Sequence, residues 1–298
     1  MVTGQKATIR PREKEGDAPP TTPGRLPPVA PKLGVLHYEA GRYLITDKPP
    51  DVRIDGEFTH TVEKLALSYI VSQGFDVEKA KTETGFGVRF VHRLDYATSG
   101  VMMIGLTRKA AGVAATQFEK RSVKKIYLAL VHGHVGDDIE VVTDMDNRKS
   151  FLTFDQAIAD TKPPGYKMVV GSPGNPGRAS LTECYPLAHG SYKGAPVTKL
   201  LLVPQSGRRH QLRVHCANAG MPIVGDATYI DDDSVYFKDP NVLPPRMMLH
   251  AFELHISLPP PQEKLYGRKS GLRNAIQQEF RTVDPFSEKT LEGLCLVA

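Results

Sequence analysis

The sequence predicts an α+β domain, and three observations support that fold class. Strand-type and helix-type hydrophobic periods both occur along its 298 residues. They do not alternate regularly, as strands and helices do in a doubly wound parallel sheet. The apolar content of 40% is enough to bury a sizeable core. The chain also has no internal repeat of fixed period, so each element has to be identified from its own pattern.

Residues 1–34 are predicted to form a disordered, proline-rich basic arm. They contain seven prolines and six Lys or Arg residues against three acids. Large apolar residues are too few to offset the entropy lost on ordering, and the prolines favour extended conformations. The prolines also rule out a long amphipathic helix in this arm.

Order is predicted to begin near residue 35, where two β-type runs end at Pro49-Pro50. A helix is predicted for 61–73, because its apolar residues recur at helical spacing and Gly74 can end it. A second helix is predicted for 107–121 on the same ground. It leads into "KKIYLALVHGHV" (124–135), whose branched and aromatic residues favour a strand.

The second half of the chain is less regular. Residues 144–180 contain "KPPGY" and "GSPGNPGR", which predict a mobile surface loop inserted between core strands. A strand is predicted at Val197–Val203 and a helix at 208–220, closed by Gly220. The C-terminal extension, 261–298, is polar, and the only core contribution expected from it is at 291–297.

Composition limits the compartment and the partners. The formal charge of +5 favours a polyanionic partner without requiring one. Three cysteines without C-x-x-C spacing indicate neither a disulfide framework nor a zinc knuckle, so a reducing intracellular compartment is expected. No run of about 18 apolar residues is present, so no membrane span is predicted. The cytoplasm is favoured, mitochondrion and nucleus stay open, and a monomer is expected.

Several enzyme classes do not fit the motifs. No second acid stands out as a glycosidase partner for Asp95. His210 and His215 are five residues apart, so they would not share a helix face, and no metal site is expected. "HRLD" differs from the kinase catalytic loop, where Asp directly follows Arg. "SPGNPG" lacks the Lys-Ser/Thr ending of a phosphate-binding loop, so nucleotide hydrolysis is not supported.

Two elements remain that could carry chemistry. One is Asp95, between Arg93 and a Thr-Ser-Gly turn, and the other is the arginine-rich stretch "SGRRHQLRVH". If Arg209 and Arg213 lie on one helix, their spacing of four puts both guanidinium groups on one face, suited to phosphate or carboxylate. Spacing alone favours the alternative that this face is a solvated basic surface.

Four sequence segments resemble the RluA-type RNA pseudouridine synthases. "HRLDYATSG" matches the family signature H-R-L-D-x-x-T-S-G, and "KKIYLALVHGHV" is similar to its K-x-Y-x-A-L-V-x-G segment. "GRRHQLRVHCANAGMPIVGDATY" and "PRMMLHAFELHI" resemble two later segments in the same order. The resemblance implies a catalytic domain over 35–260, with a mixed, mainly antiparallel sheet and flanking helices.

The activity implied by the resemblance is isomerisation of uridine to pseudouridine in RNA, with no cofactor. Asp95 matches the family's catalytic aspartate, which attacks either the sugar or the base. Arg213 matches the arginine that pairs with it and stabilises its charged form. Tyr127 matches the active-site tyrosine, which stacks under the base and is proposed to act as a general base.

The resemblance also implies a set of substrate-binding residues. Arg93 matches the arginine that enters the RNA as the target nucleotide is flipped out. Thr98 and Ser99 belong to the turn that shapes the Asp95 loop, where Gly100 supplies backbone freedom. Two further substrate-binding candidates do not rest on a family role: His92, with a scaffold or supporting role as the alternative, and Arg209, which is expected to follow phosphates.

Departures from the family pattern concern substrate choice more than chemistry. "KPPDVRIDGE" has Asp51 where the family often has Gly, and it lacks the usual His. Arg209 stands where Thr is common. The leading hypothesis is therefore an RNA pseudouridine synthase acting on structured rRNA, tRNA or mRNA. The alternative is a non-catalytic RNA-binding or ribosome-assembly protein that keeps the same fold.

Overall fold

The computed structural model describes residues 31–135, 152–161, 165, 167–230, 243–261 and 274–297. The predicted arm therefore lies outside the described residues except for 31–34, and the first strand begins at Gly34. Among the described residues, no helix has the length and apolar character needed to span a bilayer.

Four helices and thirteen strands make up the described structure. The helices are α1 (Val62–Ser72), α2 (Val77–Thr84), α3 (Arg108–Glu119) and α4 (Gln211–Asn218). The strands are β1 (Gly34–Glu39), β2 (Tyr43–Lys48), β3 (Phe86–Phe90), β4 (Ser99–Thr107), β5 (Lys124–His132), β6 (Leu152–Phe154), β7 (Ile158–Asp160), β8 (Met168–Val170), β9 (Thr182–Tyr192), β10 (Ala195–Pro204), β11 (Leu249–Leu258), β12 (Ile276–Arg281) and β13 (Leu294–Val297).

Eleven of the strands form one sheet. Its main order is β1-β2-β4-β11-β5-β10-β9-β13, with β3 on β4, β12 on β11 and β6 on β9. Every pairing in it is antiparallel except that of β4 with β11. β7 and β8 form a separate two-stranded ribbon. The predicted α+β fold with a mixed, mainly antiparallel sheet is confirmed.

Local sequence explains where the predicted helices begin. Thr61 and Thr107 lie just before α1 and α3, and each hydroxyl accepts a hydrogen bond from a backbone N–H of the first turn. The predicted strand pair after residue 35 is the β1–β2 hairpin, and the predicted strands at 124–135 and 197–203 correspond to β5 and β10. These predictions are confirmed.

Helices cover both faces of the β2–β4 region, because successive strand residues point to opposite sides. Leu44 and Met102 pack with α1 in one apolar cluster. Their neighbours Ile45 and Met103 pack with α3 in another. The largest cluster lies at the other end of the sheet, around β5, β9, β10 and α4. The sheet therefore has its core on both faces.

Three sequence predictions need correction. The helix predicted for 208–220 begins only at Gln211, because His210 before it has a left-handed backbone with φ of 56°. Arg209 consequently lies outside the helix and does not share a helix face with Arg213. The loop predicted for 144–180 contains β6, β7 and β8 in its described part, and Ile158 and Met168 are buried there.

The third correction concerns the C-terminal extension, which contributes to the core before residue 291. β12 pairs with β11 along its whole length, and Phe280 is buried against the sheet. Phe286 has no exposed surface and lies in the largest apolar cluster. Few large apolar residues mark this segment, and only some of them, such as Phe280 and Phe286, are buried.

Gly100 allows the one parallel contact in the large sheet. It pairs with Ala251 of β11 and has φ of 111°, a region that residues with a side chain rarely adopt. A Cβ atom on Gly100 would lie 2.1 Å from the carbonyl oxygen of Ala251. β4 and β11 can therefore approach this closely only if residue 100 is glycine.

We expect Gly100→Ala to lower the free energy of unfolding by at least about 3 kcal/mol, since the new methyl group would push β11 away from β4. Gly74→Ala is the matched control: Gly74 also has positive φ (76°), but nothing lies within 4 Å of its Cβ position. This control should cost only the backbone strain, about 1–2 kcal/mol. Urea denaturation measures both, and equal losses would contradict the proposed clash.

Candidate active site

Asp95 lies on the loop between β3 and β4, and backbone contacts hold that loop in place. The Thr98 N–H donates to the Asp95 carbonyl at 3.2 Å. The buried ammonium group of Lys48, at the end of β2, donates to the carbonyls of Tyr96 (2.9 Å) and Thr98 (2.8 Å). Burial lowers the pKa of Lys48 to about 7. The Asp95 side chain keeps 25% of its surface exposed at the end of this fixed loop.

Arg213 joins Asp95 to a second, fully buried carboxylate. Its Nη1 atom lies 3.3 Å from Oδ2 of Asp95. Its Nε and Nη2 atoms each donate to a different oxygen of Asp226 at 2.7 Å, a bidentate arrangement that fixes the guanidinium plane. Burial alone would lower the pKa of Arg213, but hydrogen bonds to Asp226 and the charges of both carboxylates raise it on balance. The arginine is therefore a permanent cation facing Asp95.

Tyr127 lies on β5, on the other side of β11 from Asp95. It pairs with Ala251 of β11, and that residue also pairs with Gly100 near the start of β4. The Tyr127 ring packs between the two apolar clusters that meet here. Burial, and after it the charge of Asp95, raises the pKa of Tyr127. The structure thus brings Asp95, Tyr127 and Arg213 together from three distant parts of the chain.

His210 and Tyr229 complete the surroundings of the carboxylate. Nε2 of His210 lies 4.0 Å from Oδ1 of Asp95, and its Nδ1 is 2.9 Å from the Tyr229 hydroxyl oxygen. The Tyr229 ring lies 5.1 Å from the Arg213 guanidinium carbon, and its hydroxyl accepts a hydrogen bond from the Met168 N–H. Burial lowers the pKa of His210, so the ring facing Asp95 is neutral.

The other two candidate arginines lie at the surface, each in an ion pair. Arg93 has 64% of its side chain exposed and contacts Asp55 at 3.1 Å. Arg209 contacts Asp160 at 2.9 Å and lines a groove of about 490 Å³ next to the β7–β8 ribbon. Exposed ion pairs of this kind are weak, so either guanidinium group can exchange its carboxylate for another anion.

The remaining candidates face inwards. Nε2 of His92 accepts a hydrogen bond from the Met103 N–H at 2.9 Å, and its ring stacks on Phe118. Thr98 and Ser99 are each only 2% exposed. The Ser99 hydroxyl accepts from Arg246 and lies 2.6 Å from Nδ1 of His250. These contacts favour support of the Asp95 loop over direct substrate contact.

Sequence reasoning assigned no role to Lys48, Asp226 or Tyr229, although each lies in a segment that resembles the family. Lys48 opens "KPPDVRIDGE", and the other two lie in "GMPIVGDATY". An isolated charged residue is most often a surface residue, and the neighbouring sequence does not show when such a residue will be buried. The one available signal was the position of all three within the matched segments.

One group of possible metal ligands occurs among the described residues, away from Asp95. Glu253, His255 and Glu279 lie on the paired strands β11 and β12 with their ligand atoms close together. Arg281 already contacts both glutamates, at 2.8 and 3.0 Å. A cation would have to displace this guanidinium group, so the cluster fits a charge network better than a metal site.

Comparison with known proteins matches this architecture. The family model for RNA pseudouridylate synthase matches residues 42–218. The chain belongs to this family. The RluA-type resemblance is confirmed, and the matched range includes Asp95, Tyr127 and Arg213 but ends before Asp226.

Individual relatives agree with the family assignment. Mouse RNA pseudouridylate synthase domain-containing protein 1 is 40% identical over 223 residues, which cover 74% of this chain and 66% of that protein. The chain thus spans slightly less than two thirds of this relative. The dual-specificity RNA pseudouridine synthase RluA of Pasteurella multocida is 28% identical over 80% of this chain and 93% of its own length. The solved structure of human RNA pseudouridylate synthase domain containing 1 superposes with a TM-score of 0.64, at 32% identity and 91% coverage of both chains.

We expect Asp226→Ala to lower the free energy of unfolding by about 3–5 kcal/mol, because it leaves the buried Arg213 charge without its bidentate partner. Asp160→Ala provides the matched control, since it also removes a carboxylate from an arginine but at a site that is 70% exposed. That change should cost about 1 kcal/mol or less. Guanidinium denaturation measures both, and similar losses would contradict the structural role of the buried pair.

Stability should fall as the pH falls from 6.5 to 3, in part through His92. Burial lowers the His92 pKa from 6.5 to about 3, so within this window the unfolded chain binds a proton that the folded chain does not. The contribution reaches at most about 1.4 kcal/mol per pH unit. His92→Gln should therefore show a shallower loss than wild type in denaturation at stepped pH. His60→Gln, at an exposed histidine, should leave the slope unchanged, and parallel curves for all three proteins would refute this role of His92.

Proposed function

We propose that this protein is an RNA pseudouridine synthase that uses Asp95 as its nucleophile. The observation that carries the proposal is the position of Asp95: a partly exposed carboxylate on a fixed loop, paired with a buried arginine and near enough to Tyr127 for its charge to raise the pKa of that residue. Membership of the family supports the reaction class. The constellation is what nucleophilic catalysis needs, since the attacking group is charged, oriented and accessible.

The reaction is an isomerisation and needs no cofactor. The bond between N1 of uracil and C1′ of ribose breaks, the detached base rotates, and C5 bonds to C1′. The hydrogen originally on C5 leaves as a proton, and N1 takes one up, so atoms and charge balance. Asp95 can assist by forming a transient bond either to the sugar or to the base.

The two oxygens of Asp95 have different surroundings. Oδ2 faces Arg213 at 3.3 Å, while Oδ1 lies 4.0 Å from His210, too far for a hydrogen bond. The guanidinium group stabilises the charged carboxylate through one oxygen. Oδ1 is the better placed atom to attack, because no hydrogen bond to His210 has to break first.

Tyr127 is proposed to support the base and to assist removal of the C5 proton. The Tyr127 ring, which the charge of Asp95 reaches, would give the flipped uracil a surface on which to stack. Its raised pKa keeps the phenol protonated in the free protein. Because the pKa is raised, the phenolate of Tyr127 is a strong base. Substrate binding must first generate this phenolate before it can take up the C5 proton.

The surface arginines are proposed to bind the RNA. Arg93 enters the space left by the flipped nucleotide, exchanging Asp55 for RNA groups. Arg209 lies near Arg178 and Arg208 in the groove next to the ribbon, where Asp160 is the one acid among the described residues of the lining. This excess of positive charge suits a phosphate backbone. The proposed substrates are structured rRNA, tRNA or mRNA.

The test is release of tritium from RNA labelled at uridine C5. Cellular RNA pools should release tritium with the wild-type protein, and Asp95→Asn should reduce the rate by about 1,000-fold or more, since it removes the nucleophile at nearly constant volume. Glu83→Gln, at an exposed carboxylate on α2, is the matched control and should keep the wild-type rate.

Two results would overturn the proposal. Full release by Asp95→Asn would exclude Asp95 as the nucleophile. RNA binding without release from any pool by the wild-type protein would favour the alternative, a non-catalytic RNA-binding or ribosome-assembly protein on the same fold.

A further inference from the structure

Two exposed aromatic rings lie together beside the Asp95 loop. Phe58 is 45% exposed and Tyr96 is 38% exposed. Within the described part of the chain, they are the two aromatic side chains among its exposed large hydrophobics. A single exposed apolar residue needs no explanation, but two aromatic rings at one place call for one.

The guanidinium group of Arg53 joins the two rings. Its central carbon lies 4.2 Å from the centroid of the Phe58 ring and 5.5 Å from that of Tyr96. Both distances are within the range of cation–π attraction. Arg53, Phe58 and Tyr96 therefore form one group, called here the Arg53 cluster, with two aromatic rings and a planar cation at the surface.

The backbone around the cluster is fixed without any ligand. The Val62 N–H donates to the Arg53 carbonyl at 2.9 Å, tying the loop to the first turn of α1. On either side of Arg53, Val52 and Ile54 are buried in the core. The Phe58 ring packs against Gly56, leaving 3.2 Å to the position where a Cβ atom would lie. A ligand that stacks here would lose little energy in ordering the protein.

The cluster borders the proposed active site. Tyr96 directly follows Asp95, and its carbonyl accepts a hydrogen bond from the Lys48 ammonium group. Asp55, which lies between Arg53 and Phe58, pairs with Arg93, and Arg93 is two residues before Asp95. The loop that carries Arg53 and Phe58 is also the segment in which the sequence departs from the family pattern, at Asp51 and at the missing histidine.

We propose that the Arg53 cluster is a stacking platform for an unpaired RNA base next to the uridine that enters the active site. This inference rests on the proposed function, which supplies RNA as the ligand. Bases stack on aromatic rings and on arginine planes, whichever base is present. Flipping one nucleotide unstacks its neighbour, and a ring beside the Asp95 loop replaces the stacking that the neighbour loses.

The experiment compares two fluorescein-labelled strands of about ten nucleotides, a length typical of single-strand binding sites. One is oligouridylate, and the other carries abasic ribose at every position, so that the phosphates are kept and the bases removed. The wild-type protein should bind oligouridylate more tightly. Phe58→Ala should weaken oligouridylate binding by about 5- to 150-fold, the range for loss of one stacked base, and leave binding of the abasic strand unchanged.

Two further variants separate stacking from other effects. Phe58→Tyr keeps an aromatic ring and should retain wild-type affinity for oligouridylate. Val283→Ala removes another exposed apolar side chain, 77% exposed on the wild-type surface, and should change neither affinity. Equal binding of both strands by the wild-type protein would overturn the platform. So would an equal loss on both strands in Phe58→Ala, because that pattern indicates a contact with the phosphates.

Tritium release measured on the same preparations distinguishes this inference from the proposed function. Base-dependent binding that Phe58→Ala abolishes, without release by the wild-type protein, would support the platform and refute the activity. Release by the wild-type protein with unchanged oligouridylate affinity and KM in Phe58→Ala would support the activity and refute the platform. If both hold, Phe58→Ala should raise KM more than it lowers kcat.

Discussion

The ion pair between Arg213 and Asp226 is the interaction on which the arrangement around Asp95 depends. A buried guanidinium group with one carboxylate on each side is favourable only if its hydrogen bonds are satisfied, and Asp226 accepts two of them at 2.7 Å. Because Asp226 fixes the plane of the guanidinium group, the remaining nitrogen points at Asp95. The cation that faces the proposed nucleophile is therefore positioned by a second carboxylate, Asp226.

The sheet order explains how residues distant in sequence come together. β11 lies between β4 and β5, parallel to the first and antiparallel to the second. Asp95 precedes β4, Tyr127 is on β5, and α4 with Arg213 follows β10, the next strand along. No local pattern could predict this order, because strand adjacency depends on pairing between segments far apart in the chain. The family resemblance assigned Asp95, Tyr127 and Arg213 to one site. The residues that contact them can be identified only from the folded structure.

Sequence patterns predicted the elements whose apolar residues recur at a clear period. The β1–β2 hairpin, α1, α3, β5 and β10 are of this kind. The patterns missed α2, in which Ala80 is the single buried apolar residue among those described. They also missed the ribbon, whose strands β7 and β8 are three residues long. They also missed β12, where Phe280 is buried but Ile276 is 58% exposed. In each case too few residues face the core for a period to appear.

Sequence patterns are equally limited in predicting the charged residues of the site. Asp95, Tyr127 and Arg213 could be named because they stand at motif positions, whereas the buried charges of Lys48 and Asp226 have no signature that separates them from surface charges. The left-handed backbone at His210 was equally invisible. It shortens α4, separates Arg209 from Arg213, and directs one arginine to the groove and the other to the carboxylates.

The place of β11 in the sheet has a consequence for biosynthesis. In sequence, β11 comes after all the other strands between β1 and β9 in the main sheet order. In the sheet, however, it lies between β4 and β5. When Asp95, Tyr127 and Arg213 of a nascent chain have left the ribosome, the sheet still lacks the strand between β4 and β5. The edges of β4 and β5 stay open until residues 249–258 emerge. The proposed active site is thus among the last parts of the protein to assemble, and the open strand edges on its two sides can pair wrongly until β11 is in place.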